Sequence, residues 1–338
     1  MKINATQATD YITQCIQVGL TPMISGDPGI GKSEIVKAIA EKYSLVLVDE
    51  RLSTYDPTDL NGLPKIGTER ASFIPFDTFP LEDTPIPPGS HGWLIFLDEF
   101  NSATMAVQSA AYRLILDKSV GRHKLHPRAV IVCAGNLATS GAIVNRLGTA
   151  MQSRLIHLEL FVSVPLWLTW ASTHGIDYRI LSYINNVPEN LLRFDPKHTD
   201  KTFASPRTWE FTSRLISKLD TKKLSSIIEL LAGSIGEGVA MEFVSHCEIY
   251  NDMPTFAQIQ TDPLSAKCKK EPAIQFAVAY MIAAFVDTIS LTKAMQYVAR
   301  LPLEFQTICI QGIVRKNKAM LLEKPVISWM ALNGSLLI

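Results

Sequence analysis

Gly26-Asp27-Pro28-Gly29-Ile30-Gly31-Lys32-Ser33 decides how this chain is read. The octapeptide follows the short apolar run Pro22–Ser25 and opens into a helix-favouring stretch, Glu34–Lys42. Glycines let successive backbone N–H groups turn toward one anion, and the start of a helix adds positive partial charge. In that strand–loop–helix setting Lys32 is spaced to reach β- and γ-phosphates, and the Ser33 hydroxyl to ligate Mg2+. A chance glycine-rich turn would match the pattern in roughly 1% of chains of this length. The flanking strand and helix are what give the match its weight.

Further apolar runs recur outward from this loop, at Leu45–Val48, Trp93–Leu97, Val130–Ala134 and Ile156–Leu160. They scarcely alternate, which is how parallel strands buried on both faces read. Helical or irregular segments separate them, and Thr6–Gly19 carries a helical stripe of Tyr11, Ile12, Cys15, Ile16 and Val18. The expected fold is therefore α/β, a P-loop core with a five-stranded parallel sheet flanked by helices. Past Phe161 the texture becomes helical, at Trp209–Leu219, Leu224–Leu231 and Ala273–Val286. A boundary is expected near Val162–Pro165, dividing a nucleotide-binding domain, 1–162, from an α-helical lid and C-terminal region, 163–338. The stretch Asp56–Gly92 is too long for an ordinary connection and is expected to hold a short hairpin.

Bulk composition narrows the class. The 338 residues favour two domains, and 47% hydrophobic with 19% charged residues describes an ordinary globular chain. Lys+Arg and Asp+Glu balance at 32 each, so no global basic field points to nucleic acid. Five scattered cysteines without a CxxC pair suit free thiols in a reducing compartment. No basic-then-apolar leader opens the sequence, and the longest apolar run, Phe276–Val286, is about half of a bilayer crossing. A cytoplasmic location with no membrane contact is expected.

Two carboxylates, Asp98 and Glu99, end the run Trp93–Leu97. Open α/β sheets put ligands at the carboxyl ends of their strands, so Asp98 should emerge beside the phosphate loop and hold Mg2+. Glu99 would orient or deprotonate an attacking water. Asn136 ends the run Val130–Ala134 and would bond the γ-phosphate or that water. Arg146 and Arg154 flank a short segment before Ile156–Leu160. Either arginine can serve a neighbouring subunit's γ-phosphate or simply a surface ion pair. Ser205-Pro206-Arg207-Thr208 opens a helix, with Ser205 as cap and Pro206 in the first turn. Arg207 can then act over the nucleotide or remain a solvated side chain.

In that order, with Leu97-Asp98-Glu99-Phe100-Asn101-Ser102-Ala103, Ala134-Gly135-Asn136, Ser153-Arg154-Leu155 and Ser205-Pro206-Arg207-Thr208-Trp209, the chain resembles an AAA+ ATPase of the MoxR type. The wider group includes the midasin and dynein ATPase modules, and the resemblance spans roughly residues 1–220. It implies that Gly26, Asp27, Pro28, Gly29, Ile30, Gly31, Lys32 and Ser33 form Walker A, and Asp98 and Glu99 Walker B. It likewise implies Asn136 as sensor 1, Arg207 as sensor 2 and Arg154 as the arginine finger, with Arg146 in reserve. Lys65–Phe79 matches the helix-2 insert, following Asp56–Pro64, and Leu116–Pro127 the hairpin before sensor 1, with Arg122, His123 and Lys124 at its tip. Phe100 and Ser102 depart from the more usual Ile or Leu and Arg. The resemblance implies ATP and ADP as nucleotides, Mg2+ as cofactor, a homo-hexameric ring, chaperone-like remodelling and a von Willebrand factor A domain partner.

Three other classes share the phosphate loop. A DNA-processing ATPase, such as a helicase loader or restriction-type motor, would need a basic, aromatic-interleaved surface, which is lacking outside Arg122–Lys124. A small-molecule kinase would need an acceptor-binding lid. A nucleotide-gated scaffold would differ from a motor in turnover alone.

Overall fold

The computed structural model describes residues 1–67, 71–141, 144–197, 200–218, 224–248 and 253–333. The chain divides into two compact units, Met1–Ser163 with Asp195–His198, and Val164–Phe194 with Thr199–Ile338.

The first unit is built on a parallel sheet. In chain order its elements are β1 (Lys2–Ile3), α1 (Ala5–Gln17), β2 (Thr21–Ser25), α2 (Lys32–Lys42), β3 (Leu45–Arg51), α3 (Pro57–Asn61), β4 (Leu63–Ile66), β5 (Ala71–Ile74), β6 (Gly92–Asp98), α4 (Met105–Leu116), β7 (Ser119–Val120), β8 (His123–Lys124), β9 (Ala129–Gly135), α5 (Thr149–Gln152) and β10 (Leu155–Leu160). The sheet has six strands in the order β1-β10-β2-β9-β6-β3, and every pairing is parallel. The five apolar runs account for five of those strands. The sixth, β1, is a two-residue edge strand too short to leave a pattern.

Each central strand feeds two cores, because successive side chains point to opposite faces. Trp93, Ile95 and Leu97 pack with Ile131, Cys133 and the α4 residues Val107, Ala111 and Leu114. Leu94 and Phe96 pack with Val132, Ala134 and the α1 and α2 residues Ile12, Val36 and Ile39. That alternation explains the unbroken apolar runs, and it sends Asp98 to the same face as Phe96, the face covered by α2.

Two small antiparallel hairpins interrupt the α/β alternation. In the β4–β5 hairpin Leu63 pairs with Ile74 and Ile66 with Ala71, and all eight strand residues are exposed. Residues 68–70 of the expected insert lie outside the described residues. The β7–β8 hairpin pairs Ser119 with Lys124, and Arg122, His123 and Lys124 are exposed around Gly121.

The second unit is helical: α6 (Val164–Thr173), α7 (Tyr178–Asn186), α8 (Pro206–Lys218), α9 (Ile228–Ile235), α10 (Glu237–Glu248), α11 (Phe256–Thr261), α12 (Pro272–Phe285), α13 (Leu291–Val298), α14 (Leu303–Lys316) and α15 (Lys324–Asn333). The apolar run Phe276–Val286 belongs largely to α12, which packs against α14 and α7. Gly312 of α14 allows that approach, since a Cβ there would lie 2.8 Å from Ala283 Cβ. Leu224–Leu231, expected as one helix, is a 3-10 turn at Leu224–Ile227 followed by α9. No helix among the described residues is long and apolar enough to cross a membrane.

Candidate functional site

The carboxyl ends of β2, β6 and β9 lie side by side, because β9 sits between the other two in the sheet. The phosphate loop leaves β2 and closes on α2. Gly31 stands as the N-cap of α2 at φ 96°, a left-handed conformation that favours glycine. No side chain caps this helix start, so its first N–H groups keep their donors for an anion. Gly26 is also constrained: a Cβ would lie 2.5 Å from Ile30 Cδ1 and 3.1 Å from the Leu160 carbonyl.

Lys32 is buried at 9% exposure, and its Nζ is held at the mouth of the loop. It donates to the carbonyls of Gly26 (2.7 Å) and Asp27 (3.0 Å) and to Asn136 Oδ1 (3.2 Å). The Ser33 hydroxyl donates to Asp98 Oδ2 at 3.2 Å. Asp98 Oδ1 in turn accepts the Glu99 N–H at 2.8 Å. Lys32, Ser33, Asp98, Glu99 and Asn136 thus form one chain of contacts over residues far apart in sequence. A further hydroxyl, Ser140 Oγ, donates to Asp27 Oδ1 at 2.6 Å and ties the loop to the segment after β9.

Glu99 adopts φ 52°, ψ 31°, unusual for a residue with a side chain. Its carbonyl accepts the N–H groups of Ser102 (2.9 Å) and Ala103 (3.2 Å), closing a 3-10 turn at Phe100–Ser102. Its carboxylate accepts a hydrogen bond from Ser53 Oγ, on the 3-10 turn that follows β3. On β3 itself, partial burial and the nearby Asp98 charge push the Asp49 carboxyl up, with Arg51 acting in the opposite sense.

Asn101 crosses from the Glu99 turn to β9. Its Nδ2 donates to the Asn136 carbonyl at 2.7 Å, and its Oδ1 accepts the Asn136 N–H at 3.1 Å. Its own carbonyl accepts the Asn145 N–H at 2.7 Å, while Asn145 Nδ2 donates to the Ala103 carbonyl at 2.8 Å. Sequence reading missed Ser53, Asn101, Ser140 and Asn145 as site residues. A polar residue after the acidic pair was the visible hint for Asn101; nothing local marks the other three.

The arginines belong to three other segments of the chain. Arg154 is exposed, donates to the Ala150 carbonyl at 2.9 Å, and immediately precedes β10. Leu155 pairs with Thr21 at the start of β2, so Arg154 stands at the amino-terminal end of the strands, opposite the phosphate loop of its own chain at their carboxyl ends. Arg146 is exposed on the segment held by Asn145, and among the described residues it makes no hydrogen bond or ion pair. Arg207 is exposed in the first turn of α8, within the helical unit. That helix start is capped reciprocally: Ser205 Oγ accepts the Thr208 N–H at 3.3 Å, and the Ser205 N–H donates to Thr208 Oγ1 at 2.8 Å.

No family model matches the chain, and no curated protein matches it. Solved structures similar to it include the Thermotoga maritima RuvB Holliday junction branch migration motor, 15% identical over 73% of this chain and 69% of that one, with a TM-score of 0.37. A Thermotoga maritima RuvB point mutant is 14% identical over 96% of this chain and 84% of its own, with a TM-score of 0.39. A Cytophaga hutchinsonii protein described as a candidate ATPase is 14% identical over 98% of this chain and 89% of its own, with a TM-score of 0.38. The chain's own coordinates establish a P-loop α/β unit with a parallel sheet flanked by helices, followed by a helical region.

Proposed function

We propose that this chain is an AAA+ ATPase that binds ATP on the Gly26–Ser33 loop and hydrolyses it to ADP and phosphate. The observation that carries the reading is the contact of Lys32 Nζ with Asn136 Oδ1 at 3.2 Å, beside the Ser33–Asp98 pair. It joins three strand ends around the place where a γ-phosphate would lie.

The donor set fits the nucleotide and its ion. The uncapped start of α2 and the Lys32 ammonium would take the phosphate oxygens. Ser33 and Asp98 would hold Mg2+, whose bound charge would neutralise the β- and γ-oxygens. Glu99 orients a water in line with the γ-phosphorus and accepts its proton as the new P–O bond forms. The bond from the γ-phosphorus to the β–γ bridging oxygen breaks, and ADP carries that oxygen away. Asn136 donates to the γ-phosphate or the water, and the sequence resemblance adds Arg207 as the sensor 2 residue.

The position of Arg154 supports a shared site. At the amino-terminal end of the strands it lies away from its own loop, but an exposed guanidinium there can serve a neighbour's. Arg146 is the reserve for this role. The reading therefore includes a homo-oligomeric ring, of the hexameric kind that the sequence resemblance implies. Protein remodelling with a von Willebrand factor A domain partner is the corresponding task, and the balanced charge of 32 against 32 suits a protein client.

The test is ATP binding and turnover by the parent chain and by Lys32→Ala. The parent should bind and hydrolyse ATP with Mg2+ present, and Lys32→Ala should lose binding. An unchanged affinity in Lys32→Ala would overturn the assignment of the loop. Mixing Arg154→Ala with Lys32→Ala should restore part of the lost turnover; no recovery in any ratio would rule out the shared site.

A further inference from the structure

Among the described residues, Asn101 is the one polar side chain that bridges the turn carrying Glu99 and the backbone of Asn136. It is buried at 8% exposure, and both ends of its carboxamide are used on the same residue. The β9 strand ends at Gly135, so the Asn136 N–H and C=O lie beyond the sheet ladder and need other partners. Asn101 supplies both, and its approach is so close that a Cβ on Gly135 would fall 2.2 Å from Asn101 Oδ1. The strand end is therefore shaped to admit this carboxamide. Asn101 thus holds the Asn136 backbone on both sides, and the Asn136 side chain accepts from Lys32 Nζ through its Oδ1.

We propose that Asn101 is a positioning residue for hydrolysis: its carboxamide locks the Glu99 turn to Asn136, fixing the separation of the two groups that address the attacking water. The inference rests on the ATPase reading above. Its chemical logic is that proton transfer and phosphoryl stabilisation both depend on sub-ångström placement, so a rigid crosslink between their carriers acts on the chemical step rather than on nucleotide affinity. The same turn holds Asn145 through the Asn101 and Ala103 carbonyls, so the segment bearing Arg146 shares this anchor. A carboxamide serving the fold alone would leave the reaction's proton dependence unchanged, which gives the test its leverage.

Three variants are compared with the parent: Asn101→Ala, Asn101→Asp, and Asn101→Ala combined with Asn136→Ala. Asn101→Ala should lower kcat roughly tenfold to a hundredfold while KM for ATP stays within about twofold. The double variant should be no slower than Asn136→Ala alone, since both remove one unit of positioning. Asn101→Asp keeps the acceptor for the Asn136 N–H but sets an oxygen against the Asn136 carbonyl. It should be slow near about pH 8 and recover toward about pH 6, as the buried carboxyl takes a proton and donates again. Parent kcat in Asn101→Ala, strict additivity in the double variant, or an Asn101→Asp profile parallel to the parent's would each overturn the inference. If Asn101→Ala fails to fold, the Asn101→Asp profile decides alone. A parent chain without turnover would instead overturn the proposed activity, and this inference with it.

Discussion

At Glu99 the backbone takes a left-handed conformation, which costs on the order of 1 kcal/mol for a residue with a side chain. The surroundings hold it there: Asp98 Oδ1 takes its N–H, Ser102 and Ala103 bond its carbonyl, and Ser53 bonds its carboxylate. A second strained residue, Lys118, has φ 48° and a half-buried ammonium that donates to Thr21 Oγ1 at 3.3 Å. Burial pushes its pKa down. A base whose folded value is depressed costs stability while protonated, so the penalty is full below the folded value and relieved as pH rises through it toward the unfolded value. Lys118→Met, which keeps the apolar stem, should therefore raise Tm at neutral pH. The gain should shrink as pH climbs toward the ordinary lysine range. Thermal melts across that range check the sign; a gain that grows with pH would contradict it.

The elements that position the site were legible wherever burial leaves a pattern. The runs at Pro22–Ser25, Trp93–Leu97 and Val130–Ala134 are apolar on both faces because helices cover both, and each ends in the residues that carry chemistry. Polar strand ends were read short. β3 continues through Asp49 and Glu50 to Arg51 because its backbone pairs with β6 as far as Asp98, and pairing does not require apolar side chains. Ser53, Ser140 and Asn145 were illegible because their roles depend on partners 46, 113 and 42 residues away, and Asn101, hinted at only by its place after the acidic pair, depends on one 35 residues away. In the helical unit, α7, α8 and α10 meet in an aromatic cluster of Tyr183, Trp209 and Phe243, with ring centroids 5.4–5.5 Å apart. Trp209 is fully buried, and its Nε1 donates to the Asn190 carbonyl at 2.8 Å. Trp209→Ala should destabilise the helical unit by about 3–5 kcal/mol, through the lost ring volume and the orphaned carbonyl. Denaturant unfolding followed by circular dichroism measures this; a loss below about 1 kcal/mol would contradict the packing.

For the whole molecule, the two units have separate cores, and the five thiols report on both. Cys133 is buried in the first, and Cys247 and Cys309 in the second. Burial raises all three thiols, Cys133 to about 12. Since the thiolate is the reactive form, alkylation of the native chain should modify Cys15 and Cys268 and spare the other three until unfolding. Peptide mass spectrometry reads this directly, and early labelling of Cys133 or Cys309 would contradict the burial. The central claim is that strand ends assembled around Lys32 form a hydrolytic site in which Glu99 handles the water. The most direct test is Glu99→Gln, measured for ATP affinity and for turnover in the same preparation. Affinity should stay within about twofold of the parent while turnover falls by about 10²–10⁴. Turnover at the parent rate would contradict the account.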